Sequence, residues 1–296
     1  MTDRPDAVST LSITALLSRY VIDQREGQII LAHVLGVSRA SVIAHPERRV
    51  DPAKAIIAQN LLARRVAGEP IAYLLGTREF YGRDFVVSAA TLIPRPETEL
   101  LVEQALARIT GHLLSTSRTG ASVTQLANPH PSILDLGTGS GAIAISIALE
   151  SPASHVVAAD MSVAALQVAT DNAQRLIAPV EFIESDWYAK LTGRKFDLIV
   201  SNPPYVAGGD AHLSMGDLRF EPQLALTDDS ADGLRSIRAI IAGASAHLVP
   251  GGWLLLEHGY DQAVPCQALL LQAGFANLIS IKDLAGIPRV AGGQIR

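Results

Sequence analysis

Along residues 1–76 apolar side chains recur at helical spacing, with polar or glycine breaks between the runs. The stretches STLSITALLSRYVIDQ, REGQIILAHVLG and DPAKAIIAQNLLARRVAG read as successive helices of a small bundle. In the last, Asp51 suits the N-cap, Pro52 the first helical position and Gly68 the place just past the end. Ile57 with Leu61, and Leu62 with Val66, are i,i+4 pairs that predict a packed face. At Glu79 the period changes. EFYGRDFVVSAATLIP alternates aromatic and β-branched residues about Gly82, which predicts a β-hairpin over a connector, 77–96. RPETELLVEQALARIT then begins a new helix at Pro96, with acidic residues in its first turn.

A Ser/Thr-rich stretch around residues 111–131 has no usable period and is expected to be an exposed loop. Beyond it the pattern is βα repeated. SILDLG, HVVAAD, VEFIESD, FDLIVSN and GGWLLLEHG are short apolar runs, and GAIAISIALE and SVAALQVATDNAQRL are helical segments between the earlier ones. Such alternation predicts a parallel sheet covered on both faces, over a third region, 97–296. Ligands of such sheets bind beyond the carboxyl ends of the strands.

Composition narrows the class without naming a function. With 296 residues and 48% hydrophobic side chains, the chain can bury two modest cores. Its start, MTDRPDAVST, is acidic and polar, unlike a signal peptide, and no apolar run reaches the ~18 residues that span a bilayer. One cysteine, Cys266, allows no internal disulfide and is read as a small core side chain. The eight histidines are scattered, so no metal site is expected. These features point to the cytoplasm. A net charge of −5 weighs mildly against nucleic acid as a partner.

The chemistry concentrates where strands end. Asp135-Leu136-Gly137-Thr138-Gly139-Ser140-Gly141 follows the first βα strand and opens into a helix. Glycines there permit a sharp turn and close approach of a ligand to the backbone. Asp160 ends the next strand, where an acid accepts hydrogen bonds from ribose hydroxyls. The spacing is G-x-G-x-G, not the dinucleotide G-x-G-x-x-G, and Asp135 precedes it. An acid there would repel a pyrophosphate but could hold an ammonium, so S-adenosyl-L-methionine, with its α-amino group and no phosphate, suits the loop better than NAD. Ser185-Asp186-Trp187 adds an aromatic ring and an acid for an adenine. Ser201-Asn202-Pro203-Pro204-Tyr205 ends a further strand, because two prolines cannot continue a ladder.

Taken in order, LGTREFYGRDFVV, LIPRPETE, LDLGTGSGAIAISIA, SNPPY, RFEPQLAL with DGL, and LVPGGWLLLEHG resemble the release factor glutamine methyltransferases (PrmC, also called HemK) over almost the whole chain. The resemblance implies an α/β fold: a Rossmann-like, seven-stranded class I S-adenosylmethionine-dependent methyltransferase domain, preceded by a helical bundle and a connecting hairpin. It implies methyl transfer to the side-chain nitrogen of the glutamine in the GGQ motif of class I peptide-chain release factors. It assigns cofactor binding to Gly137, Thr138, Gly139, Ser140, Gly141, Asp160, Trp187 and Asn202, and the glutamine to Asn202, Pro203, Pro204 and Tyr205. The chain departs mainly in a longer Ser/Thr-rich loop.

A carboxamide nitrogen is a poor nucleophile, so catalysis is expected from placement. Asn202 and the carbonyl of Pro203 would accept the two amide N–H bonds, and Tyr205 would lie beside the amide and exclude water. The helical region would dock the release factor. Two other readings are a DNA adenine-N6 methyltransferase, which uses a similar NPPY corner, and a non-enzymatic S-adenosylmethionine sensor. The C-terminal Gly292-Gly293-Gln294 repeats the target tripeptide and is read as coincidence, with Gln294 expected to follow the last strand.

Overall fold

In a computed structural model the described residues are 11–111 and 125–296. Most of the expected Ser/Thr-rich loop lies outside them. The chain divides into two compact units, Met1–Gly76 and Thr77–Arg296.

The first unit is helical: α1 (Ile13–Leu17), α2 (Gln24–Leu35), α3 (Arg39–Ala44), α4 (Pro52–Val66) and α5 (Ile71–Leu75). Asp51 caps α4 by accepting from the amides of Ala53 and Lys54, Pro52 is its first residue, and Gly68 follows the C-cap with φ 97°. The buried side of α4 differs from the predicted pairs. Leu61 and Leu62 are buried as predicted, but their partners Ile57 and Val66 are 53% and 51% exposed, and Ala55 and Ala58 complete the buried side. Ala55 and Ala58 pack in one cluster with Leu31 and Leu35 of α2, so the partner helix selects which side of α4 is buried.

The second unit opens with the expected hairpin, β1 (Thr77–Phe80) against β2 (Arg83–Val86). Tyr81 and Gly82 both have positive φ, 51° and 72°, as a two-residue type I′ turn demands. Pro96–Thr98 forms a 3-10 turn, and α6 (Glu99–Thr110) follows. Next come β3 (Ser132–Leu136), α7 (Ala142–Glu150), β4 (His155–Asp160), α8 (Val163–Leu176), β5 (Val180–Glu184) and β6 (Phe196–Ser201). After a long excursion containing α9 (Gln223–Leu226), the chain continues as α10 (Arg235–His247), β7 (Leu248–Glu257), α11 (Ala263–Gln272), β8 (Ala276–Lys282) and β9 (Pro288–Gln294).

The sheet has seven strands in the order β5-β4-β3-β6-β7-β9-β8, with β9 antiparallel to both neighbours and the other pairings parallel. Both faces are covered. Ile133, Val156 and Leu198 pack with residues of α6 and α7, while Leu134, Val157 and Ile199 pack with residues of α10 and α11. Hence the central strands read as unbroken apolar runs rather than alternating ones. Cys266 is buried in the second of these cores. Gln294 is the last residue of β9 rather than a residue beyond it, and its amide is engaged with Asn277 and the carbonyl of Gly251. No helix among the described residues is long and apolar enough to cross a membrane.

Candidate active site

Strand register places the site. Leu136 pairs with Ala159 on one side and Ser201 on the other, and Ser201 pairs with Leu256. The next residues, Gly137, Asp160, Asn202 and Glu257, therefore stand in a row along the carboxyl edge of four adjacent strands. The chain runs from β3 outward through β4 and β5, then returns to β3's other side as β6. Such a reversal opens a crevice at the strand ends. A cavity of about 300 Å³ lies there.

One wall is the glycine loop. Gly137, Gly139 and Gly141 all have positive φ, at 72°, 56° and 81°. The amides of Gly137 and Thr138 donate to the carbonyl of Ala159, and the Gly139 amide donates to Asp160 Oδ2 at 2.9 Å. Asp160 Oδ1 accepts from the amide of Ser162 at 2.9 Å. Burial raises the Asp160 carboxyl above its usual range, against backbone bonds that lower it. Each of its oxygens retains a lone pair. From α8, the buried Asn172 donates to the carbonyls of Ser140 and Val86, both at 2.9 Å, so one side chain ties the loop to the hairpin.

The glycines have different reasons for being there. A Cβ on Gly139 would meet no protein atom within 4 Å, whereas one on Gly141 would lie 2.8 Å from Ile145 Cδ1 and 3.2 Å from Ala169 Cβ. Gly139 keeps space open at the cavity; Gly141 lets α7 and α8 approach. Accordingly Gly137, Thr138, Gly139 and Ser140 line the cavity and Gly141 does not. Asp135 does not line it either. It is fully buried, accepts from Thr138 Oγ1 at 2.7 Å, and burial pushes its carboxyl up to about 7. The expected contact of Asp135 with an ammonium is corrected: this acid supports the loop from beneath. Asp186 and Trp187 line the cavity, Trp187 with a positive φ of 43°.

The other wall is the SNPPY corner. Ser201 Oγ donates to the carbonyl of Leu136 at 2.7 Å, which fastens the end of β6 to β3. Asn202 and Pro204 line the cavity; Pro203 and Tyr205 do not. Asn202 Nδ2 donates to Thr98 Oγ1 at 3.1 Å, while its Oδ1 is buried with no hydrogen-bond partner. Among the described residues the Pro203 carbonyl accepts no hydrogen bond. Tyr205 departs from the expected place beside an acceptor amide. Its ring packs on the α10 side of the sheet, its hydroxyl donates to Glu257 Oε1 at 3.3 Å, and burial raises its pKa. The Tyr205 carbonyl accepts from Gln262 Nε2 at 2.9 Å, and a Cβ on Gly233 would strike it at 2.1 Å. Gly233 is the glycine of the quoted DGL, and this close approach explains it.

Several lining residues carry no strong local signal: Thr98, Arg95, Ala225, Thr227 and Asp228. Glu221, side chain fully buried, accepts from the Ile93 amide at 3.0 Å and pairs with Arg95 at 2.5 Å, joining the post-hairpin segment to the excursion after β6. Pro94, Arg95 and Pro222 thereby become wall. Only the order LIPRPETE…RFEP hints at this in sequence. No group of three or more metal-ligating side chains occurs among the described residues.

Comparisons with known proteins give the family. The PrmC N-terminal domain family matches residues 12–76, and the methyltransferase small domain family matches residues 119–220. The chain is 50% identical over 294 residues to the release factor glutamine methyltransferase of Burkholderia pseudomallei, covering 97% of each chain. It is 49% identical to that of Bordetella pertussis, covering 95% of this chain and 98% of the relative. In fold it is similar to a methyltransferase from Pyrococcus furiosus, with TM-score 0.51, 19% identity, and 79% and 97% of the two chains covered. The catalytic domain of hMettl16 in complex with MAT2A 3'UTR hairpin 6 is also similar in fold, with TM-score 0.55, 14% identity, and 84% and 85% covered. Half of all positions are shared with a named relative over nearly the full length of both, and the chain belongs to the release factor glutamine methyltransferase family.

Proposed function

We propose that this chain transfers a methyl group from S-adenosyl-L-methionine to the side-chain amide nitrogen of the glutamine in the GGQ motif of class I peptide-chain release factors, modulating translation termination. The observation that carries the reading is Asn202: a buried carboxamide oxygen without a partner, in the same cavity as a glycine loop and a ribose-type acid. A buried acceptor left unpaired is costly, so its persistence points to an incoming donor. An acceptor amide brings two N–H bonds.

The residues present fit the cofactor. Gly139 opens the cavity where any side chain would intrude, Asp160 offers lone pairs to two ribose hydroxyls, and Trp187 offers a ring to an adenine. When bound, S-adenosyl-L-methionine supplies an electrophilic methyl on a sulfonium. Gly137, Thr138 and Ser140 shape the same wall, and Gly141 acts through helix packing. Asn202 Oδ1 accepts one substrate N–H bond and aims the nitrogen lone pair at the methyl; the Pro203 carbonyl, on a residue that does not itself line the cavity, is the acceptor we assign to the other N–H from the corner's edge. Pro204 supplies apolar wall, and Tyr205 stiffens the corner from behind. As the N–C bond formed, the methyl's bond to sulfur would break and leave a neutral thioether, and the positive charge passed to nitrogen would make one amide proton acidic enough to leave to solvent, so no strong base is needed.

Residues 1–76 we assign to docking the release factor, because a GGQ tripeptide alone cannot distinguish its protein from others. Interfaces of that kind bury ~1,200–2,000 Å². A chain beginning at Thr77 is expected to bind S-adenosyl-L-methionine normally and to methylate intact release factor far more slowly, with peptide activity unchanged; equal losses on both substrates would reduce the helical unit to a support. The net charge of −5 speaks against a nucleic acid substrate, and a lone, buried Cys266 fits the cytoplasm. The deciding experiment incubates the enzyme with labelled cofactor and either release factor or DNA, then locates the label. Label on the GGQ glutamine supports the reading, and label on adenine replaces it.

A further inference from the structure

We propose that Arg95 binds the carboxylate at the methionine end of S-adenosyl-L-methionine, with Glu221 holding the guanidinium in place. The assignment rests on reading this cavity as the cofactor site, and it adds a group to that site. The cofactor carries a sulfonium, an ammonium and a carboxylate. Asp160, Trp187 and the glycine loop answer to its adenosine end, and none of them offers a carboxylate a cation.

Charge narrows the choice. Among the described residues that line the cavity the acids are Asp160, Asp186 and Asp228, and Arg95 is the one cation. A guanidinium presents a planar fork of N–H donors that matches both oxygens of a carboxylate. Arg95 Nη2 donates to Glu221 Oε1 at 2.5 Å. Its Nε and Nη1 make no hydrogen bond among the described residues, and its side chain is 31% exposed. Glu221 is a fixed anchor, because its side chain is fully buried and its Oε2 accepts from the Ile93 amide at 3.0 Å. Neutralising that acid leaves most of the fork unused.

Position agrees with charge. Asp186 and Trp187 follow β5, Asp160 ends β4, the glycine loop follows β3 and Asn202 follows β6, and these strands lie in the order β5-β4-β3-β6. A cofactor with its adenine by Trp187 and its ribose by Asp160 therefore extends its methionine end toward β3 and β6. Arg95 is fastened on that side. Glu221 belongs to the excursion after β6, and the Arg95 carbonyl accepts from the Thr98 amide at 3.0 Å, in the turn whose Thr98 Oγ1 accepts from Asn202. A ligand held only at its adenosine end can pivot about the flexible methionine arm. A second anchor at the carboxylate removes that freedom before the acceptor arrives.

The test titrates the full-length enzyme calorimetrically with S-adenosyl-L-methionine and with decarboxylated S-adenosylmethionine, which keeps the adenosine, sulfonium and amine and lacks the carboxylate. The parent chain should bind the first about tenfold or more tightly than the second. Arg95→Gln keeps a donor for Glu221 and drops the charge, and should weaken the first about tenfold or more while the second stays within about twofold. Arg95→Lys keeps the charge without the fork, and should weaken the first by less than Arg95→Gln does. Equal losses on both compounds would make Arg95 a structural partner of Glu221 and overturn the proposal. A higher KM for release factor at unchanged cofactor affinity would give the guanidinium to the acceptor, and overturns it too. If neither substituted chain folds, the parent decides: equal affinities overturn the proposal, and the tenfold preference supports it. Asp160→Ala, titrated in parallel, should weaken both compounds alike. A parent chain that binds neither compound sinks the reading of the site itself, whereas a preference left intact in Arg95→Gln sinks only the role of Arg95.

Discussion

The two walls of the cavity are held in opposite ways. At β3 and β4 the fixed groups are mainly backbone: amides of Gly137, Thr138 and Gly139 on Ala159 and Asp160, the last bond spanning 21 residues. At β6 the fixed groups are side chains from remote parts of the chain, with Asn202 bonded to Thr98 across 104 residues and Tyr205 to Glu257 across 52. A backbone wall depends on where a Cβ is absent. A side-chain wall depends on where each proton lies. Binding a constant cofactor asks for the first, and aligning a weak nucleophile asks for the second.

The sharpest way to break this comparison is Asn202→Ala, expected to lower kcat by about 10²–10³-fold, the order seen when one preorganised hydrogen bond is removed. Pull-down should show release factor binding retained, because the alanine spares any docking surface. Asp160→Ala comes next. Losing charge-assisted ribose bonds worth ~1.5–3 kcal/mol apiece should weaken cofactor binding about a hundredfold or more by calorimetric titration, with little effect on kcat at saturation. An unchanged dissociation constant would move the cofactor elsewhere.

Gly141→Ala probes the backbone wall itself. At φ 81°, with a Cβ 2.8 Å from Ile145 Cδ1, the substitution should cost about 1–3 kcal/mol of stability in denaturant unfolding, while cofactor affinity of the folded protein holds. Loss of affinity at normal stability would instead make Gly141 a ligand contact.

The smallest effect concerns pH. Burial pushes the Glu257 carboxyl up to about 7, above its unfolded value near 4.3. Between those values the folded state binds more protons than the unfolded one. The contribution of Glu257 is therefore most favourable below the unfolded pKa and is lost as pH rises through about 7. Melting temperature should fall less from pH 5 to pH 8 in Glu257→Gln than in the parent chain. Parallel profiles would mean that Glu257 keeps its charge cheaply.

Much of the fold was legible because period and punctuation are local. Asp51-Pro52 and Gly68 bracket α4, and Tyr81-Gly82 turns the hairpin, since caps and turns are set by a residue's own φ, ψ and nearest amides. The buried face of α4 was misjudged at Ile57 and Val66 because helical spacing says which residues share a side, not which side finds a partner. Tyr205 was placed correctly on the corner and wrongly in its direction, since two prolines fix where a strand stops but not where the next ring points.

By itself the sequence determined the βα order, the glycine turn, the acid at the end of β4 and the amide at the end of β6, each from residues within one segment. Only the tertiary structure decided that Asn202 meets Thr98 and Tyr205 meets Glu257, that Asp135 lies beneath the loop rather than in it, and that Glu221 clasps Arg95. Those facts follow from strand register and burial, which pair residues far apart in the chain and set the cost of each unshared proton.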